Sequence, residues 1–347
     1  MKAVVVYGEG DLRVEEIDDA VCGSHQVLIE MEWGGICGSD VAYWLKGVSG
    51  TAVLQDPLVL GHEVAGHVAD IGADAVVQFA EQRVEVGVPV TIHPATLVGE
   101  YDVPEEMADR TNLWPEVRYF GSAAFRPHEQ GGFCRFRAVR PDQLRVLPEG
   151  VSTKEAAIAE PFGVALHAVW RAGDVSGRDV LVNGCGPIGV LAIAAAKAAD
   201  AKRVVAADLS DAALDIARRM GADETVNPGR NDSLPQDVEV AIEASGAPKA
   251  LGGVIAAVRR GGVLVQVGNL PASEVPAALG NIVTREIDYR GSYRFIDEIS
   301  QALELMARGV DVSPLMTHEV SIDDAIRGFE MAADRSTGSS KVMIRLS

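Results

Sequence analysis

The residue pattern predicts an α/β protein of two domains, one strand-rich and barrel-like, the other a doubly wound parallel sheet. Three observations carry that expectation. The first 150 residues hold strand-like runs broken by glycine, and from about residue 153 apolar strands alternate with crossover helices. After residue 295, two helices and a strand can return to the first domain. At 347 residues the chain exceeds the length of about 250–300 at which single cores stop growing. The expected divisions are residues 1–155, 156–294 and 295–347, the first and last forming one domain.

In "QVLIEMEW" strict alternation puts Val27, Ile29, Met31 and Trp33 on one face of a strand. "HEVAGHVADIG", "VPVTIH" and "GGFCRFRAV" read similarly, and their spacing suggests an antiparallel barrel. The polar segment "LVGEYDVPEEMADRTNLWPEV" has no clear period and reads as a long surface excursion. "TKEAAIAE" and "PFGVALHAVWRAG" are helical, with Pro161 opening the second piece. Strands follow at "RDVLVNG", "RVVAADLS", "DVEVAIEAS" and "GGVLVQVG". Between them lie helices at "PIGVLAIAAAKAA", "SDAALDIARRMGA" and "KALGGVIAAVRR". Ser210 is placed to cap one helix and Gly221 to end it. "IDEISQALELMARG" and "SIDDAIRGFEMAAD" are the two late helices and "KVMIRLS" the closing strand.

Composition is that of a globular protein, 48% hydrophobic and 23% charged. A net charge of −19 opposes nucleic-acid binding, which needs a basic face. No apolar run approaches the roughly 20 residues that cross a bilayer. "MKAVVVYGEGDLRVEE" reads as a first strand, so the cytoplasm is the expected location. Cys22, Cys37, Cys134 and Cys185 form no Cys-x-x-Cys pair, and a disulfide framework is not expected.

Two constellations point to chemistry. "VLVNGCGPIGVLAIAAAKAA" places Gly184, Gly186 and Gly189 as G-x-G-x-x-G between a strand and a helix, where backbone can approach a pyrophosphate. Asp208 ends the next strand, nineteen residues after Gly189, where a carboxylate binds a ribose diol and repels a 2′-phosphate. The following "LSD" offers no arginine, which favours NAD over NADP. The second constellation is Cys37, then His62 and Glu63 in "LGHEVAGHV", then Glu160 in "IAEPFG". One sulfur, one imidazole and one or two carboxylates suit zinc with three protein ligands and an open position. Singly, Cys37 also suits a small buried hydrophobe, His62 a core histidine and Glu160 a helix N-terminal acid.

"GGICGSD", "GHEVAGHV", "AEPFGVALHA" and "GCGPIG" resemble, in order and spacing, the zinc-dependent medium-chain alcohol and polyol dehydrogenases. The likeness spans essentially the whole chain. It implies a GroES-like barrel catalytic domain completed by the C-terminus, with a Rossmann NAD-binding domain inserted. It implies one catalytic zinc at Cys37, His62 and Glu63, with Glu160 on the metal or its water. Asp40 would orient His62 from behind, and Ser39 would receive the substrate proton. Gly184, Gly186, Pro187, Ile188, Gly189, Asp208 and Ser292 would hold the cofactor, with Val267, Gly268 and Asn269 along the nicotinamide. Tyr43, Arg294 and Phe295 would line the substrate pocket.

Within the family, "RYFGSAAFRPHEQGGFCRF" and "RGSYRF" look most like the L-idonate 5-dehydrogenases of the sorbitol dehydrogenase-like branch. The implied reaction interconverts L-idonate and 5-keto-D-gluconate. A neutral polyol such as sorbitol or xylitol is the alternative, and a non-catalytic NAD-binding protein a distant third. The family also implies a homo-oligomer, dimer or tetramer.

Three departures stand out. The segment where many relatives carry four cysteines for a structural zinc has none, so no structural zinc is expected. Ala42 stands where a relay histidine is common, and Ala213 where an arginine often meets the adenine. Of the remaining polar residues, His128 could border the pocket, and Arg118 and Arg126 are candidates for a substrate carboxylate. His67, Cys134 and Cys185 read as structural.

Overall fold

The alternating run at 27–33 folds as the Val27–Gly35 strand, whose Val27, Ile29 and Met31 are fully buried. Each such side chain contributes about 1.5–3 kcal/mol on burial, and a one-residue slip would turn all three outward. The computed structural model describes residues 1–347 except 77, 80–81, 98–101, 272, 276 and 278. The chain divides into two units: Met1–Glu160 with Ile299–Ala307 and Met316–Ser347, and Pro161–Glu298 with Arg308–Leu315.

In the first unit, Val27–Gly35 pairs antiparallel with Glu63–Ile71, Phe136–Val139 and Lys341–Arg345. A second sheet orders Asp11–Glu16, Lys2–Gly8 and Leu58–Val59. Met31, Leu58, Phe133 and Phe329 share the core, with Phe329 edge-on to both Trp44 and Phe133. The polar excursion is bounded by a ladder between Ala95–Leu97 and Val117–Tyr119 and contains short 3-10 turns at Glu105–Met107 and Thr111–Leu113. Its residues 98–101 lie outside the described residues.

The second unit is a parallel sheet ordered Glu224–Val226, Arg203–Ala207, Asp179–Asn183, Val238–Glu243, Val258–Gln266, Asp288–Gly291. By appearance in the chain this is 3-2-1-4-5-6, the doubly wound order, with its switch point between Asp179–Asn183 and Val238–Glu243. Ser210 caps the Asp211–Arg219 helix by accepting from the Ala213 N–H at 3.3 Å, and Gly221 follows its end with φ +102°.

Two boundaries differ from expectation. Pro161 sits inside the first turn of the Ala159–Ala172 helix rather than opening it. A proline is tolerated there because first-turn N–H groups have no helical partner. The Pro248–Ala257 helix stops before "VRR", which already belongs to the Val258–Gln266 strand. Among the described residues no helix is long and apolar enough to cross a membrane.

Candidate metal centre and nucleotide site

Strand pairing assembles the candidate metal centre. Val27–Gly35 leads directly to Cys37, the N-cap of the Gly38–Lys46 helix, and Gly35 is the register partner of Glu63. Cys37 Sγ, a His62 ring nitrogen and a Glu63 carboxylate oxygen therefore lie within 4.8 Å of one another. Among the described residues no other group of three such ligands converges. His62 and Glu63 are buried and Cys37 half-buried. Buried Glu63 Oε2 makes no hydrogen bond and meets the Lys341 ammonium as an ion pair at 2.7 Å. Sulfur, nitrogen and oxygen donors in one buried cluster fit zinc.

Lys341 is fixed against this cluster. Its Nζ donates to Glu63 Oε1 at 2.7 Å and to the Ile36 carbonyl at 3.1 Å, and it lies 2.7 Å from Glu63 Oε2. A second carboxylate, Glu160, stands outside the trio, where the Tyr119 hydroxyl donates to its Oε1 at 2.6 Å. The Tyr119 ring meets His62 edge-on at 5.8 Å. Neither Lys341 nor Tyr119 is marked by spacing; the only trace of Lys341 is a charge at the start of an apolar terminal strand.

Asp40 does not hydrogen-bond His62. Its Oδ1 is 3.8 Å from Nδ1, beyond hydrogen-bond range. Instead the carboxylate accepts from the Cys37 N–H at 2.9 Å and the Gly61 N–H at 3.3 Å. It reaches back to the helix start as a third-position acid does, and so ties the backbone before His62 to that of Cys37. Burial works against a charge on His62, yet Cys37 foremost, then Asp40, raise its pKa well above the usual value. Burial pushes the Asp40 and Glu160 carboxyls up. Burial disfavours the Lys341 ammonium, but Glu63 more than restores it and its pKa is raised.

The other residues singled out in this unit divide clearly. Ser39 and Ala42 are half-buried in the helix after Cys37, and Ala42 offers no titratable group. Tyr43 is buried, its hydroxyl accepting from the Ala123 N–H at 3.0 Å. His128 Nε2 accepts from the Gln55 and Asp56 N–H groups at 3.0 and 3.2 Å, and Nδ1 is 2.9 Å from the Phe125 carbonyl. Both ring nitrogens are thus committed to loop backbone. The Arg118 guanidinium binds Glu116 and the carbonyls of Arg126 and Pro127, while exposed Arg126 pairs with Asp56 at 2.9 Å. His67 lies 3.6 Å from Glu32.

In the second unit, a Cβ on Gly189 would stand 1.7 Å from the Gly184 carbonyl oxygen, so helix and turn approach as only glycine permits. Gly184 has φ +93°, while the space in front of Gly186 is open, as a pyrophosphate cradle requires. Pro187 opens the following helix, and Ile188 is half-buried beside it. Asp208 accepts from the Cys185 N–H at 2.7 Å and the Ser210 N–H at 2.8 Å, binding the second strand's end to the glycine turn. These bonds leave lone pairs on both oxygens for a ribose diol. The Val267 and Gly268 N–H groups donate to the Glu243 carbonyl, Asn269 is exposed, and the Ser292 N–H donates to Gln266. Arg294 holds φ +51° with its guanidinium over the Tyr293 ring at 5.0 Å, and Phe295 is buried.

Comparison with known proteins completes the picture. The family description "Alcohol dehydrogenase GroES-like domain" matches residues 23–149, and "Zinc-binding dehydrogenase" matches residues 187–308. The chain is 33% identical to a sorbitol dehydrogenase of Bacillus subtilis (strain 168), covering 99% of this chain and 97% of that protein. It is 36% identical to an L-idonate 5-dehydrogenase (NAD(P)(+)) of Escherichia coli (strain K12), covering 99% and 98%. The crystal structure of an Escherichia coli L-idonate 5-dehydrogenase superposes with a TM-score of 0.89 at 33% identity, covering 99% and 97%.

Proposed function

The chain belongs to the zinc-binding alcohol and polyol dehydrogenases, and from that premise we propose that it moves hydride between NAD and the C5 hydroxyl of a sugar acid, L-idonate giving 5-keto-D-gluconate. The convergence of Cys37, His62 and Glu63 in one buried cluster carries the reading.

Zinc supplies Lewis acidity and NAD the hydride acceptor. Cys37, His62 and Glu63 would hold the cation, and Glu160, fixed by Tyr119, would bind it or a water on it. Ser39 Oγ takes the substrate proton, and Ala42 beyond it offers no titratable group to pass it on. Gly184, Gly186, Pro187, Ile188 and Gly189 cradle the pyrophosphate, and Asp208 selects NAD by binding the ribose diol. Val267, Gly268 and Asn269 line the nicotinamide, and Ser292 contributes to the cofactor site. Arg294 and Phe295 in the second unit, and Tyr43 in the first, are the residues this reading assigns to the substrate. The same reading has a cytoplasmic homo-oligomer with one zinc per chain and no structural zinc.

A neutral polyol is the second reading, supported by the 33% identity to a sorbitol dehydrogenase beside 36% to an L-idonate enzyme. NADH formation by zinc-replete protein on L-idonate, sorbitol and xylitol separates them. A kcat/KM for idonate about tenfold or more above the polyols, the scale of one charge-assisted pairing, supports the first reading. Preference for the polyols moves the substrate to the second, and no turnover on any of them overturns both.

A further inference from the structure

Glu243 ends the fourth strand of the parallel sheet, beside the switch point, and is fully buried. Its Oε1 accepts from Asn183 Nδ2 at 3.1 Å, from the Ser245 N–H at 2.9 Å and from the Ser245 hydroxyl. Its Oε2 accepts from the Gly246 N–H at 3.1 Å and Gln266 Nε2 at 2.6 Å. Its backbone carbonyl takes the Val267 and Gly268 N–H groups at 3.0 and 2.8 Å. Every one of these donors is neutral, and among the described residues no lysine or arginine pairs with it. Neutral donors solvate a carboxylate without cancelling its charge.

The donors come from three segments that touch backbone to backbone. A Cβ on Gly184 would lie 2.5 Å from Ser245 N, one on Gly246 2.4 Å from the Asn269 carbonyl, and one on Gly268 2.3 Å from Gly246 N. Such packing leaves the loops no freedom to shift singly, and Glu243 is the group bonded to all of them. The nicotinamide ring carries a positive charge when oxidised and none when reduced, so a fixed negative charge nearby distinguishes the two forms. In a low-dielectric interior that influence extends several ångströms.

We infer that Glu243 is a positioning residue that locks the three loops of the cofactor site and, through its unpaired charge, favours NAD⁺ over NADH. The inference rests on the proposed placement of Val267–Asn269 along the nicotinamide. It assigns the chain a built-in preference for binding the oxidised cofactor.

Titration calorimetry of zinc-loaded protein with NAD⁺ and with NADH, without substrate, tests it. The readout is the ratio of the two dissociation constants, which a purely structural role would leave unmoved. Glu243→Gln removes the charge. Gln266→Lys keeps the carboxylate and its other donors but sets a cation against Oε2, and serves if the first variant does not fold. Each is expected to weaken NAD⁺ about tenfold relative to NADH. Glu243→Asp, which keeps the charge, should hold the ratio within about twofold of the unmodified chain. An unchanged ratio in Gln266→Lys and in any folded Glu243→Gln, or a shift in Glu243→Asp matching theirs, overturns the inference. Failure of the unmodified chain to bind either nucleotide overturns instead the dinucleotide reading beneath it.

Discussion

Lys341 Nζ lies 2.7 Å from both carboxylate oxygens of Glu63, though 278 residues separate them and neither side chain is more than 3% exposed. A surface ion pair contributes about 0–1 kcal/mol, but removing one partner of a buried pair costs about 3–5 kcal/mol by stranding the other charge. Lys341→Met should therefore destabilise the metal-free protein by about that amount. The loss should be smaller with zinc bound, since the cation becomes the counter-charge to Glu63. Chemical unfolding with and without zinc measures both values; equal losses would mean that Glu63 does not face the cation.

Gly35 leaves the room that Glu63 occupies. A Cβ there would stand 2.4 Å from Glu63 Oε2 and 3.3 Å from Lys341 Cδ. Gly35→Ala is expected to cost about 1–3 kcal/mol, as overpacking does, and to displace the carboxylate from the metal cluster. Competition with a chelator should show zinc affinity reduced about tenfold, the scale of a disturbed ligand. Unchanged affinity would remove Glu63 from the ligand set.

Zinc affinity should fall steeply on acidification. His62 has a raised pKa in the metal-free protein, so below that pKa zinc must displace a proton, costing about tenfold in apparent affinity per pH unit. The sign for stability is opposite. The contribution of His62 to the metal-free fold is complete below the unfolded pKa of about 6.5 and is lost as pH rises through the higher folded value. The metal-free stability difference between the unmodified chain and His62→Gln should shrink across that window. Growth with rising pH would contradict the assignment.

The cysteines should separate by reactivity. Burial pushes the Cys134 thiol up to about 11 and raises that of Cys185 still further, and the thiolate is the reactive form. Mass spectrometry after alkylation of the native protein should find both unmodified. Cys37, half-buried, should become reactive only once zinc is removed. Labelling of Cys37 at the same rate with zinc present would mean that it does not ligate the metal.

Local pattern accounts for much of this protein. Gly184, Gly186 and Gly189 are legible because a tight turn between strand and helix needs glycine at those positions, whatever the rest of the chain does. Cys37 and the His62–Glu63 pair are legible because so few residue types bind zinc. Alternation at Val27–Trp33 and the strand–helix repeat after residue 175 likewise reveal a half-buried sheet and a parallel one. Asp40 shows the limit of such reading. The family resemblance implies that it sits behind His62, but its bonds go to backbone N–H groups rather than to the imidazole.

The sequence by itself determined the two sheet types, the nucleotide turn and the identity of the candidate metal ligands, since each depends on residues close together in the chain or on rare chemistry. Only the tertiary structure decided which charges are buried and what faces them. Lys341 in "KVMIRLS" and Glu243 in "DVEVAIEAS" look like ordinary strand-end charges until long-range pairing carries one to Glu63 and surrounds the other with neutral donors. Burial is a property of the assembled layers, and the energy of a charge depends on its surroundings far more than on its sequence neighbours.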